Sequence, residues 1–268
     1  MTRELKAIWI SLVTTTATAV LLLPVSALAQ SRDNSTMRAT VYGFVPNVTG
    51  ETAFPTPLGN SFDINGETLV DNSDLVLMGM FEYQKGRWGA FTDIMYLDLG
   101  TTKSATRDIA LPGVPVLLPV TANANVDIKA WIVMGAANLR AFSAERISLD
   151  VFAGARRLDA DATLDYTFTT PIGPGPQGTS DGANANWDGV AGVKGRLTLG
   201  RLTVPFYADA GAGDSDLTVQ AMAGITYAFR HIELGAVYRY LDYDMKDDGR
   251  MIGAITFSGP MTGVTFKW

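Results

Sequence analysis

The chain contains no cysteine, so neither disulfides nor thiolate chemistry belong to it. It has one histidine, His231, which leaves no metal-ligand cluster of the imidazole or thiolate kind. No cofactor is implied. Charged residues are scarce, 18% against 47% hydrophobic, which is low for a soluble domain. Beyond residue 29, however, no uninterrupted apolar run reaches the about 18 residues of a spanning helix. Net charge is −6 and no basic patch stands out, so nucleic acid is not an expected partner. What remains is a chain rich in apolar residues that are interleaved with polar ones rather than clustered, with 27 glycines. That pattern suits a sheet with lipid on one face and polar groups on the other.

The N-terminus reads as an export address. Arg3 and Lys6 form a basic n-region, Ile8 to Leu23 carry no charge, and Ala27-Leu28-Ala29 is a small-x-small cleavage site before Gln30. Residues 1–29 are therefore expected to be a cleaved signal peptide, residues 30–37 a short periplasmic segment, and residues 38–268 the folded domain. A transmembrane anchor is the rival reading of the first stretch, but Pro24 and four threonines dilute it.

The rest of the chain reads as strands near 38–48, 73–84, 87–99, 126–142, 147–163, 185–199, 202–212, 216–229, 231–243 and 251–268. Alternation is clearest from Trp187 onward. Leu202, Val204, Phe206 and Ala208 oppose Thr203, Pro205, Tyr207 and Asp209, and Ile232, Leu234, Ala236 and Tyr238 oppose Glu233, Gly235, Val237 and Arg239. A β-sandwich would alternate too. Its strands, though, average about 5–6 residues, whereas a tilted strand crossing hydrocarbon needs about 9–11. Aromatic residues near strand ends (Tyr42, Phe44, Tyr83, Trp88, Tyr96, Phe229, Tyr238, Tyr240, Trp268) predict girdles at two interfaces.

Connections alternate in length. Lys85-Gly86-Arg87, Ser143 to Arg146, Gly200-Arg201 and Arg230-His231 predict tight turns, while 49–72, 100–125, 164–184 and 244–250 predict longer loops, with a brief connection at Gly213-Asp214-Ser215. Short periplasmic turns, longer extracellular loops and both termini in the periplasm give an all-β, antiparallel, up-and-down transmembrane barrel of ten strands, with eight or twelve as alternatives. Pro46 and Pro205 sit in strand-like segments, where each removes a ladder donor. Ile255 and Phe257 share parity with Lys267 rather than Trp268, so a bulge at Ser258-Gly259-Pro260 is expected to turn them outward.

If large apolar residues face lipid, the opposite faces place Glu82, Asp93, Arg156, Lys194, Arg196, Asp209, Gln220, Glu233, Arg239 and Lys267 in the lumen. The simpler reading is a mutually neutralising plug, because a barrel of about eight strands is just filled by side chains. The functional reading is a narrow hydrated passage for small solutes. Barrel enzymes of the omptin, phospholipase or palmitoyltransferase type need histidine at the extracellular end. His231 lies in a turn expected to face the periplasm, so no catalytic residue is assigned. The acidic run from Asp242 to Gly249 lacks the spacing and closing Glu of a calcium loop. The 164–184 segment, rich in Pro and Gly, predicts a mobile loop. The apolar Leu111 to Val120 stretch predicts a loop that folds into the barrel mouth, lies on the outer leaflet or meets a partner.

The last stretch, Thr262 to Trp268, alternates so that Val264, Phe266 and Trp268 share one face. It resembles the closing strand of outer-membrane barrels, which the barrel-assembly machinery recognises. Its expected partner is the strand beginning near Arg38. Val41-Tyr42-Gly43-Phe44-Val45-Pro46-Asn47-Val48-Thr49-Gly50 and Lys85 to Gly100 likewise resemble segments of a largely uncharacterised, porin-like group of proteobacterial outer-membrane barrel proteins, although Asn47 stands where an aromatic is expected. That resemblance implies a Gram-negative outer-membrane location with lipid as the surrounding partner, and it offers no catalytic motif. The expected function is non-enzymatic: an envelope barrel or narrow passive pore, with a surface adhesion barrel acting through long loops as the alternative.

Overall fold

In a computed structural model of the chain, the described residues are 35–56, 59–64, 76–110, 117–171, 173–246 and 252–268. The signal peptide expected over 1–29 lies outside them. The regular structure is β throughout: β1 (Ser35–Phe44), β2 (Asn47–Thr56), β3 (Gly59–Ile64), β4 (Val76–Lys85), β5 (Trp88–Ala110), β6 (Leu117–Ser143), β7 (Ile147–Thr170), β8 (Gly173–Leu199), β9 (Leu202–Gly213), β10 (Ser215–Ala228), β11 (Ile232–Met245) and β12 (Ile252–Lys267). They form one sheet in the order β1-β4-β5-β6-β7-β8-β9-β10-β11-β12-β2-β3, closed by β1 on β12. Ten strands, β1 and β4 to β12, make the ring, and the β2–β3 hairpin hangs from β12. Arg38 pairs with Lys267 at the closure, as expected for the terminal strand. β1 begins at Ser35, three residues before the expected start at Arg38.

Proline explains an interruption at the seam of the ring. β1 pairs with β12 as far as Phe44–Met261, and β2 resumes at Asn47–Ser258. Pro46, which lacks a donor, falls between them. Inside–outside alternation runs unbroken from Tyr42 to Gly50, so β1 and β2 are one strand broken only in its hydrogen bonding. Gly259 makes this possible, because a Cβ there would lie 2.3 Å from the Val45 carbonyl oxygen. No bulge occurs at Ser258-Gly259-Pro260. The β11–β12 register is continuous from Ile232–Phe266 to Asp244–Ala254, and Ile255 and Phe257 point inward and are buried.

The tight turns occur where expected. Gly86 (φ 59°) and Gly200 (φ 66°) occupy left-handed positions that other residues rarely adopt. The long connections differ from expectation. β5, β6, β7 and β8 run 23, 27, 24 and 27 residues, far beyond what a membrane crossing needs. Pairing continues to Ala110–Leu117 and Thr170–Gly173, so much of 100–125 and 164–184 is a four-stranded extension of the barrel wall rather than loop. Of the apolar 111–120 stretch, residues 111–116 lie outside the described residues and 117–120 pair with 107–110. Thr side chains supply much of the extension's outward face: Thr102 donates to Asn125 at 2.8 Å, and Thr106 and Thr121 share a bond of 2.9 Å.

Val41, Phe81, Ile94, Val133, Val151, Val193, Ile225 and Leu234 are large apolar residues exposed on the outside of the wall. Trp88, Phe142 and Phe229 rim this band at the short-turn end, and Trp131, Trp187 and Tyr240 rim it at the other. From Phe142 to Trp131 along β6 is about 36 Å, or about 28 Å along a membrane normal at a tilt of about 40°. This matches a hydrocarbon layer, so the fold is a transmembrane barrel. Tyr42 and Phe44 are not part of a girdle, because both are buried inside.

Candidate functional site

The lumen is built in layers, and each inward row of a strand passes through them in order. On β11 the inward residues are Glu233, Val237, Arg239, Leu241, Tyr243 and Met245, and on β12 they include Lys267, Met261, Phe257 and Ile255. Starting from the short-turn end, these rows define a charged ring, an apolar shelf, a second ionic layer and an apolar plug.

Glu82 and Glu233 anchor the ring. Lys194 donates to Glu82 at 2.6 Å, and Arg196 reaches Glu82 at 3.2 Å and Glu233 at 3.4 Å. Arg38 lies 3.3 Å and Lys267 3.7 Å from Glu233. Beside the ring, Arg140 pairs with Asp150, which also accepts from Asn138 at 3.3 Å. Above it, Phe91 meets Phe152 edge-on at 5.1 Å, and Phe152 stacks on Tyr207 at 5.1 Å. Gly192 makes room for this cluster, since a Cβ there would sit 2.7 Å from the Phe152 ring.

In the second ionic layer, Arg239 pairs with Asp93 at 2.8 Å and donates to Gln220 at 2.9 Å and to the Tyr42 hydroxyl at 3.1 Å. Tyr42 donates to Asp93 at 2.5 Å. Arg156 pairs with Asp209 and donates to Thr218 at 3.0 Å, and Tyr207 donates to Asp209 at 2.5 Å. Arg156 and Asp209 side chains are 0% exposed. Low local polarity strengthens such pairs, and it also makes them costly to leave incomplete. Beyond them Leu97, Ile128, Leu158, Leu241, Tyr243 and Phe257 are buried and fill the bore.

All nine charged residues assigned to the lumen from parity point inward and fall into these two layers. Glu82, Lys194, Arg196, Glu233 and Lys267 lie in the ring, and Asp93, Arg156, Asp209 and Arg239 in the interior layer. Arg38, Arg140 and Asp150 complete the network beyond the charged residues expected there, together with Tyr42, which was expected in a girdle, and Tyr207, which shares a face with Asp209. Asp150 and Arg156 are both inward on β7, so parity alone could have found Asp150. The expectation that large apolar residues face lipid fails on the shelf and again in the far half of the lumen, where they form the plug. On β12, Phe266 is exposed on the outside, and Trp268 beyond the strand is also exposed.

A cavity of about 440 Å³ opens at the short-turn end. Its wall carries Arg38, Glu82, Lys194, Arg196 and Glu233 of the ring, and its floor is the shelf, including Met80, Phe91, Met222 and Met261. His231 is an exposed turn residue whose carbonyl accepts from the Lys267 amide at 2.9 Å. Among the described residues, no group of three or more His, Cys, Asp or Glu side chains could hold a metal ion.

No family model matches the chain, and no curated protein sequence matches it. Solved structures are similar at the level of barrel architecture. The translocator domain of the autotransporter NalP from Neisseria meningitidis is 13% identical, with 96% of each chain covered and a TM-score of 0.36. Ail, the attachment invasion locus protein of Yersinia pestis, is 11% identical, with 88% of this chain and 99% of that chain covered and a TM-score of 0.31. The TodX deltaS2S3 mutant monoaromatic hydrocarbon channel is 11% identical, with coverages of 88% and 91% and a TM-score of 0.35. At such scores no functional argument passes from them to this chain.

Proposed function

We propose that the protein is a non-enzymatic integral barrel of a Gram-negative outer membrane whose lumen is closed, and that it acts at the surface through the β5–β8 extension. In this reading residues 1–29 are removed on export, the short turns and both ends of the barrel chain face the periplasm, and the segment with Val264, Phe266 and Trp268 is read by the assembly machinery. The observation that carries the closed lumen is burial. Side chains lining an aqueous channel are exposed to it, whereas Arg156, Tyr243, Leu241 and Phe257 are 0% exposed. The surface role is supported by length, because β5 to β8 continue as paired strands well past the outer aromatic rim. Planar-bilayer recording of the refolded, heat-modifiable protein tests the first part: a silent bilayer is expected, and steady unitary currents would overturn it. For the second part, cells carrying the protein with the extension trimmed should lose surface binding while keeping the barrel; unchanged binding would refute it.

A further inference from the structure

We propose that the cavity at the short-turn end is a binding cup for a small anionic amphiphile, with its carboxylate on the charged ring and its hydrocarbon tail on the methionine-lined floor. The proposal rests on the closed-lumen reading, since only a closed lumen gives the cavity a floor.

Charge imbalance carries the head-group half. Around Glu82 and Glu233 stand four cations: Arg38, Lys194 and Arg196 on the cavity wall, and Lys267, which reaches Glu233 from outside the lining. Arg140 and Asp150 neutralise each other, and Glu145 and Arg146 at the cavity's edge add one charge of each sign, so neither pair alters the count. Arg196 divides itself between two carboxylates at 3.2 and 3.4 Å, both looser than the 2.8 Å Arg239–Asp93 pair in the interior layer. A ring with more cations than anions and a shared guanidinium has donor capacity left for one more carboxylate, which a charge-assisted bond would engage.

The floor carries the tail half. Directly inward of the ring the wall becomes apolar: Met80 follows Glu82 on the inward row of β4, and the Lys194 ammonium sits 4.0 Å from the centre of the Phe91 ring. Met222 and Met261 close the same surface from β10 and β12. Methionine is flexible and polarizable, so it moulds to tails of differing shape. An inorganic anion would leave this floor uncovered, and a neutral hydrocarbon would leave the cations unanswered. The cavity, about 440 Å³, lies in the range of small-molecule sites.

The test uses the protein refolded into lipid nanodiscs with carbon-13 methionine methyls, titrated with octanoate, octanol and propanoate. The expected result is saturable movement of the Met80, Met222 and Met261 resonances by octanoate, with Met78 and Met95, which are buried further along the inward rows of β4 and β5 and do not line the cavity, unmoved. Octanol and propanoate should each bind at least tenfold more weakly, and Arg196→Gln should weaken octanoate at least tenfold. Shifts that grow without saturation would mean bilayer partitioning and would overturn the proposal. So would octanol or propanoate matching octanoate, which would remove the role of charge or of the floor. If Arg196→Gln loses heat-modifiable mobility, Lys194→Gln takes its place, and the three-ligand comparison on the unaltered protein decides by itself. Failure of the closed-lumen reading would appear separately, as conductance.

Discussion

Removing Asp209 is the sharpest perturbation of the closed lumen. Its carboxylate is the ion-pair partner of Arg156, both side chains are 0% exposed, and Tyr207 donates to the same oxygen at 2.5 Å. Asp209→Ala leaves the guanidinium with Thr218 at 3.0 Å and a sulfur contact to Met134 at 3.8 Å. A buried charge stripped of its partner costs about 3–5 kcal/mol. Arg156→Met should cost about 3 kcal/mol, because it strands the carboxylate with one hydrogen bond. The pair Arg156→Met with Asp209→Leu replaces two charges by apolar groups in a site flanked by Leu158 and Met134, and such replacements are often neutral. It is therefore expected within about 2 kcal/mol of the unaltered protein. Urea unfolding in lipid vesicles, followed by tryptophan fluorescence, measures all three variants together with Asp209→Leu alone, which closes the cycle and gives a coupling energy of about 3 kcal/mol or more. Coupling below about 1 kcal/mol, with Asp209→Ala nearly neutral, would mean that water reaches Arg156 in the middle of the barrel. The closed lumen would then be wrong.

The lipid-facing band predicts a contrast between two arginine substitutions: Val193→Arg on the outside of the wall should cost about 2–4 kcal/mol in vesicle unfolding, and Asn123→Arg on the extension no more than about 0.5 kcal/mol. Equal small costs would remove lipid from the band. Replacing residues 102–125 by an Asn-Gly turn should leave a heat-modifiable barrel, since β5 and β6 still exceed the about 9–11 residues of a crossing; a chain that no longer folds would make the extension part of the barrel's own stability. Gly200→Val places a branched side chain at φ 66° and should cost about 1–2 kcal/mol in the same unfolding assay, whereas a neutral outcome would show the turn relaxing to another conformation. Gly259→Val, whose Cβ would meet the Val45 carbonyl at 2.3 Å, should lower stability by about 1–3 kcal/mol; an unchanged midpoint would mean that the close approach at Pro46 is absent.

The strands were legible where the two faces of the wall meet different surroundings. β9 to β11 alternate between lipid-facing apolar residues and a face of mostly polar, charged or small ones, so their register followed from parity, and with it the inward placement of Asp209, Glu233 and Arg239. The extension was not legible, because β8 carries Pro174, Pro176 and several glycines, a composition that marks loops when neighbours are unknown. Here cross-strand pairing overrides it: Tyr166 lies over Gly178, where a Cβ would meet its hydroxyl at 2.6 Å, and Phe168 lies beside Gly175. Aromatic side chains on one strand thus occupy the space that glycines leave on the next. The far half of the lumen was misjudged for a different reason. Leu241, Tyr243, Ile255 and Phe257 face inward, while Tyr238 and Tyr240 face outward. With apolar groups on both sides of the wall, parity no longer tells which side is lipid. Charge still does. A buried arginine or aspartate must find its partner inside, because the lipid side offers none, so a charged residue within the lipid-facing band labels the inner face, whereas at the outer rim Arg157 and Asp159 pair on the outside. An apolar residue labels neither. The Ile255 and Phe257 parity therefore needed no bulge to rescue it, and a β12 row that contains Lys267 had to carry those two side chains into the lumen as well.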